Sequence, residues 1–130
     1  MNNVDIRVFL VDDDEMIRDC MAAYLEDEGF SVYSAATAEK ALETIAAIGP
    51  AVCISDMRLP GMNGEEFICL AHALSPATIY MLHTGMLYSL SDELRAIGMV
   101  PENVLLKPIH DFSKLVLKIK HYAAIGRNMS

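Results

Sequence analysis

Five short apolar runs alternate with amphipathic stretches along the chain. Ile6 to Val11, Ala51 to Ile54 and Ala77 to Leu82 are nearly continuous in apolar residues, the pattern of strands covered on both faces. Phe30 to Ala35 is mixed and Val104 to Leu106 is brief, which predicts strands nearer the sheet edges. Between these runs, Ile17, Cys20, Met21, Tyr24 and Leu25 share one helical stripe, as do Ala41, Leu42, Ile45 and Ala46, and Phe112, Leu115, Val116 and Ile119. Asn63 followed by Glu66 has the form of a capping box ahead of Phe67, Leu70, Ala71 and Leu74, so a third helix is expected to begin near Gly64. The fourth helical segment is the weakest. Ser89 with Asp92 would cap it late, leaving Gly85 to Tyr88 as a loop and a helix that is short and mobile.

Regular alternation of this kind predicts an α/β domain built on a doubly wound parallel sheet. At 130 residues and 14.3 kDa, with no linker or internal repeat, the chain reads as one domain over 1–130 with its core at about 6–122. Ligands of such sheets bind outside the carboxyl ends of the strands. At those ends the sequence places Asp12-Asp13-Asp14 after the first strand, Asp56 after the third, Thr84 closing IYMLHT, and Lys107 after the fifth. Folding would therefore gather carboxylates and an ammonium into one pocket.

Charge narrows the choice of ligand. The formal net charge is -8 and the pI about 4.8, which argues against nucleic acid, whose phosphates are bound by clustered Lys and Arg. The plausible partners are proteins and cations. No apolar stretch is long enough to span a bilayer, and MNNVDIR lacks the features of a signal peptide, so a soluble cytoplasmic protein with no membrane partner is expected. Cys20, Cys53 and Cys69 form no C-x-x-C pair and read as small core residues. His72, His83, His110 and His121 show no ligand spacing, and only His83 adjoins the pocket. Met57, Met62 and Met86 lie near its rim.

Two unit charges about 4 Å apart at an effective dielectric of about 20 repel by roughly 4 kcal/mol. Asp12, Asp13 and Asp56 would thus crowd one another unless a divalent cation joined them, and an all-oxygen set of carboxylates, a carbonyl and waters suits Mg²⁺, with Mn²⁺ as the substitute. Lys107 is a flexible point donor suited to a phosphoryl oxygen. With both charges in place, a carboxylate oxygen of Asp56 is set to attack phosphorus in line and form an acyl phosphate, with the Thr84 hydroxyl donating to the transferred group and Gly85 leaving room for the donor. Each mark has a plainer reading: a lone Asp at a strand end as a helix cap, Lys-Pro as a turn, Thr84 as β-propensity. Their joint occurrence at successive strand ends is far more specific than any one of them.

With VDDD at 11–14, SDMRLPGMNG at 55–64, HTG at 83–85 and LLKP at 105–108, the sequence resembles the receiver domains of two-component response regulators from about Ile6 to Tyr122. The resemblance implies a flavodoxin-like five-stranded sheet in the order 2-1-3-4-5 with five helices. It implies that Asp56 is the phosphoacceptor and Asp13 a direct Mg²⁺ ligand, with Asp12 supporting the metal mainly through water and the backbone carbonyl of Arg58 completing the set. Thr84 and Lys107 would bind the phosphoryl group, and the Lys107–Pro108 peptide would be cis. The donor would be a phosphohistidine on a sensor histidine kinase or a histidine phosphotransfer protein, the output an unidentified downstream effector protein, with homodimerisation open. Such a module catalyses its own aspartyl phosphorylation and dephosphorylation and is not a conventional turnover enzyme.

One family mark is missing. Receivers usually carry Tyr or Phe three positions before the lysine, and this chain has Val104. In the family that ring moves inward as the Thr hydroxyl turns to phosphate, relaying the signal to the face of the fourth helix, fifth strand and fifth helix. Tyr88 or Met86 is a candidate substitute. Arg58, two residues past Asp56, either tunes hydrolysis of the acyl phosphate or is a solvent-facing loop residue. Two alternatives stay open: a non-phosphorylated receiver-like binding module, and a haloacid-dehalogenase-like phosphatase. Against the phosphatase, Met16 stands where Thr or Val is expected, no acidic pair follows the lysine, and there is no room for a cap. The last helix is expected to run almost to Ser130, which fits either a stand-alone receiver or a fragment of a larger regulator.

Overall fold

In the computed structural model, which describes residues 6–86 and 88–129, with side chains to Ile125, five parallel strands alternate with five helices. The elements are β1 (Arg7–Val11), α1 (Glu15–Asp27), β2 (Ser31–Ala35), α2 (Ala38–Ile48), β3 (Val52–Asp56), α3 (Gly64–Leu74), β4 (Ile79–Thr84), α4 (Asp92–Ala96), β5 (Val104–Leu106) and α5 (Phe112–Met129). A short turn of 3-10 helix, Pro101–Asn103, precedes β5. The sheet order is β2-β1-β3-β4-β5, the flavodoxin-like order expected.

Two apolar layers sandwich the sheet. Even-numbered residues of β1 and β3 meet Met21 and Leu25 of α1 and Leu115, Val116 and Ile119 of α5. Odd-numbered ones, Phe9, Val11 and Cys53, meet Ala41 and Ile45 of α2, Phe67, Ile68 and Ala71 of α3, and Leu94 of α4. All five residues of β3 are buried, whereas β2 is not, in keeping with its mixed sequence.

The helical stripes hold in period but differ in phase at three places. At about 100° per residue, Cys20 lies some 120° round α1 from the mean of Met21 and Leu25. It is exposed and not a core residue, while Cys53 is buried and Cys69 half-buried. Ala46 on α2 is exposed for the same reason. On α3 the buried face is Gly64, Phe67, Ile68 and Ala71, which leaves Leu70 and Leu74 exposed by 51% and 49%. Gly64 explains this rotation: a Cβ there would sit 2.3 Å from the Asp56 carbonyl oxygen, so the helix starts against the sheet with its glycine inward. The capping box of Asn63 and Glu66 is formed as expected. The fourth helix is short, but its N-cap is Ser91, whose hydroxyl accepts from the Leu94 amide, and not Ser89.

Gly64→Ala forces that close contact with backbone that cannot swing away. Overpacking of this kind costs about 1–3 kcal/mol, so the urea midpoint should fall. An unchanged midpoint would mean that α3 does not depend on the glycine.

Candidate functional site

Parallel register decides which side chains meet. Val11 pairs with Ser55 and Asp56 with His83, so Asp12, one residue past Val11, lies level with Asp56 on the neighbouring strand. Thr84 pairs with Leu106, and the ladder continues one step further, the Lys107 amide donating to the Thr84 carbonyl at 2.8 Å. Lys107 thus stands two strands from β3, about 10 Å away at the backbone. Its four-carbon stem crosses that gap: Nζ reaches Asp56 Oδ1 at 2.9 Å. The Lys107–Pro108 peptide is cis.

The carboxylates of Asp12, Asp13 and Asp56 offer oxygen atoms all within 4.8 Å of one another. Asp12 and Asp56 are buried and Asp13 is exposed, so the cluster opens to solvent on one side. It adjoins an open cleft of about 650 Å³ lined by Asp13, Asp14, Ile17, Asp56, Met57, Arg58, Thr84, Gly85, Met86 and Lys107. Every residue singled out for chemistry in the sequence lies in this cleft or cluster, and Met86 lies on its wall. Asp14 is set apart by role. Its side chain accepts from the Ile17 amide as the N-cap of α1, the plainer reading of a strand-end aspartate.

Local bonds hold each group. Asp12 Oδ1 accepts from the Asp14 amide at 2.9 Å, and the Asp12 carbonyl from Arg18 Nη1 at 2.7 Å. The buried Ser55 hydroxyl donates to the Asp56 carbonyl at 2.9 Å. Asp56 Oδ1 also takes the Arg58 amide, at 3.4 Å. Thr84 Oγ1 accepts from the Met86 amide at 3.3 Å, and Arg58 Nη2 donates to Met86 Sδ at 3.1 Å, drawing a clasp across the mouth of the cleft. Sequence reasoning missed Arg18 and Ser55. Both act on carbonyls, and a bond to backbone leaves no signal in residue type.

At the site, two buried groups are shifted from their ordinary pKa values. Burial raises the Asp12 carboxyl above its ordinary 3.8, and Asp56 and Asp13 push the same way, against the Asp14 amide and Lys107. His83 moves oppositely: burial first, then Lys107, lowers it from 6.5 to about 4, although Asp56 opposes this. Its Nε2 is buried with no hydrogen-bond partner among the described residues.

Val104, in place of an aromatic, is half-buried and packs against the cluster that also takes Tyr88. The Tyr88 hydroxyl donates to Glu65 in the first turn of α3.

The family described as the response regulator receiver domain matches residues 8–120. The chain is 42% identical over 78 residues to the C4-dicarboxylate transport transcriptional regulatory protein DctD of Rhizobium meliloti (strain 1021), covering 60% of this chain and 17% of that one. It is 26% identical over 105 residues to the cell cycle response regulator CtrA of Brucella ovis, covering 81% of this chain and 45% of the relative. The chain thus spans less than half the length of these relatives. Among solved structures, a CheY-like response regulator receiver domain protein from Methanospirillum hungatei JF-1 superposes with a TM-score of 0.80 at 29% identity, over 96% of this chain and 98% of that one. The beryllofluoride-activated NtrC4 receiver domain dimer gives 0.76 at 30% identity, over 92% and 98%. No helix among the described residues is long and apolar enough to cross a membrane.

The two abnormal groups make opposite predictions. Asp12 has a raised folded-state pKa, so its contribution is present below 3.8 and is lost as pH climbs through the raised value. Asp12→Asn, which keeps the acceptor for the Asp14 amide, should raise the melting temperature of chelator-treated protein at neutral pH, with the gain fading in acid. A gain that persists in acid would exclude carboxylate crowding as its cause. His83 stays neutral in the fold while the unfolded chain takes up a proton near 6.5, so it costs stability as pH falls from 6.5 to about 4. His83→Leu should flatten that decline in melts taken across the interval, and an unaltered slope would count against it.

Proposed function

The chain belongs to the response regulator receiver domain family, and from that premise we propose that it accepts a phosphoryl group on Asp56 from a phosphohistidine of a sensor histidine kinase or histidine phosphotransfer protein. The observation that carries this reading is the pairing of Asp56 with Lys107 at 2.9 Å beside two further carboxylates, with Thr84 lining the same cleft. We read residues 1–130 as one receiver domain with its core at about 6–122, a signalling module acting in the cytoplasm and not a conventional turnover enzyme.

Hard carboxylate oxygens within 4.8 Å of one another fit Mg²⁺, or Mn²⁺, in chemistry and crowding. Asp12, Asp13, Asp56 and the Arg58 carbonyl would hold the ion, Asp12 mainly through water. When bound it supplies positive charge that offsets the carboxylates and the incoming phosphoryl oxygens. Both described protein contacts of the Asp56 carboxylate fall on Oδ1, which leaves Oδ2 open to attack phosphorus. As the new O–P bond forms, the P–N bond to the donor imidazole breaks, and the ring leaves as neutral histidine after taking a proton from solvent. Lys107 Nζ transfers from Asp56 to a phosphoryl oxygen, and the Thr84 hydroxyl, accepting from Met86, is free to donate to another. The exposed Arg58–Met86 pair lines the same cleft, and on this reading it slows entry of the water that hydrolyses the product.

Phosphorylation would then alter contacts with an effector protein, and the likeness to a receiver dimer supports a second copy as one such contact. Incubation with Mg²⁺ and a small acyl phosphate or phosphoramidate should add a single phosphoryl group by intact mass. Chelator and Asp56→Asn should abolish the addition, and Lys107→Ala should slow it by about a hundredfold. No addition to the wild type would favour a non-phosphorylated binding module. Turnover of a generic phosphate ester would favour the phosphatase.

A further inference from the structure

The two edges of the sheet are unlike. β5, at one, is three residues long, with Pro108 two residues beyond its end, and both features blunt it. β2, at the other, is five residues long, and from Gly29 to Ala38 the chain carries no charged residue and no proline. Its register with β1 is unbroken, so no bulge turns it aside. Natural sheets protect an edge with one of these devices, and β2 has none.

Hydrogen bonding shows which groups lie open. The Ser31 amide donates to the Ile6 carbonyl at 3.0 Å, and the Ala35 carbonyl accepts from the Asp12 amide at 3.2 Å, so the odd-numbered residues of β2 bond to β1. The amides and carbonyls of Val32 and Ser34 therefore point outward, where no described strand meets them. Between them Tyr33, level with Phe9 on the α2 face of the sheet, is 40% exposed. The two ends of this edge differ in charge. Glu26, Asp27 and Glu28, all exposed, lead into it, whereas it leads out to the N-terminus of α2, with Lys40 exposed beyond the Thr37 cap. Glu39, the acid of that first turn, lies against Gly61.

We propose that β2 pairs edge to edge with β2 of a second copy, antiparallel about a two-fold axis at Tyr33, so that one sheet continues into the next. Val32 of each copy exchanges both backbone bonds with Ser34 of the other, and the two Tyr33 side chains face each other as a non-hydrogen-bonded pair, the closer kind. The antiparallel sense sets the acidic end of each strand beside the α2 N-terminus of the other; parallel pairing would set acid against acid. The strand itself offers no charge to select a charged segment of another protein, whereas its bonding pattern is complementary to itself. A net charge of -8 on each copy opposes the contact, which makes it weak and concentration-dependent. The contact uses no residue of the phosphoacceptor site and is measured on the unphosphorylated chain, so it and the function proposed above can fail separately.

Sedimentation of the full chain, taken up to millimolar concentration, should show a monomer–dimer equilibrium, and the ¹⁵N-labelled amides of residues 31–35 should shift as concentration rises. Ser34→Pro removes an outward N–H and none of the bonds to β1, so it should be monomeric with an unchanged melting temperature. Tyr33→Asp, which sets like charges opposite each other at the axis, should weaken the dimer several-fold. In Cys20→Ser/Tyr33→Cys, mild oxidation should link two copies, since the Cα atoms of such a pair stand about 4.5 Å apart, within reach of a disulfide. Cys20→Ser/Leu117→Cys, equally exposed but on α5, should stay unlinked at the same concentration, and Asp56→Asn should associate as wild type. A monomer at every concentration, a dimer that Ser34→Pro and Tyr33→Asp leave intact, or linkage no faster than in the Leu117→Cys control would overturn the proposal. So would a monomer whose amides at 31–35 shift only with an added extended peptide, which would assign the edge to a strand of another protein.

Discussion

Three carboxylates and one ammonium meet at a single edge of a parallel sheet, and the rest of the molecule is arranged around keeping them there. Left to themselves, like charges at these distances would drive the strand ends apart. The fold opposes this by fixing the backbone on both sides of each acid: Asp12 between a ladder bond to Ala35 and the Arg18 guanidinium, Asp56 between Ser55 and the close approach of Gly64. Lys107 reaches in from the outermost strand, so its ion pair with Asp56 joins the centre of the sheet to its edge.

This arrangement explains why burial is so one-sided along the chain. β1, β3 and β4 must be covered on both faces for their ends to be held in register, and they are the apolar runs. β5 is three residues long and half-covered, which suffices because its task is to aim one long side chain. Beside this incompletely buried edge a groove of about 360 Å³ runs between β5 and α5, with Val104, Leu106 and Leu115 among its lining.

Strand order and site were legible in the sequence because both depend on positions along strands, where period two and parallel register leave little freedom. The acids lie at strand ends and so had to converge. Helix phase was less legible. Cys20, Ala46, Leu70 and Leu74 are apolar residues on stripes of the right period, yet they turn outward because the contact that sets each rotation is made by another residue. For α3 that residue is Gly64, whose fit against the Asp56 carbonyl outweighs the exposure of two leucines. The cap of α4 lies two residues further on, at Ser91 and not Ser89, the two serines on either side of Leu90, and the helix it starts buries Leu94.

The missing ring at position 104 bears on how a change at the site reaches the surface. An aromatic there would couple Thr84 to the edge strand through its own movement; a valine, fixed at χ1 and half-buried, offers no comparable motion. The structure has other connections on this side of the site. The Met86 amide rests on Thr84 Oγ1, its thioether on Arg58, and two residues on the Tyr88 hydroxyl rests on Glu65 of α3. The described residues of the loop after β4 are therefore tied to Thr84 and Arg58, beside Asp56, at one end and to Glu65 of α3 at the other. A displaced Thr84 hydroxyl acts on that loop directly, whatever occupies position 104.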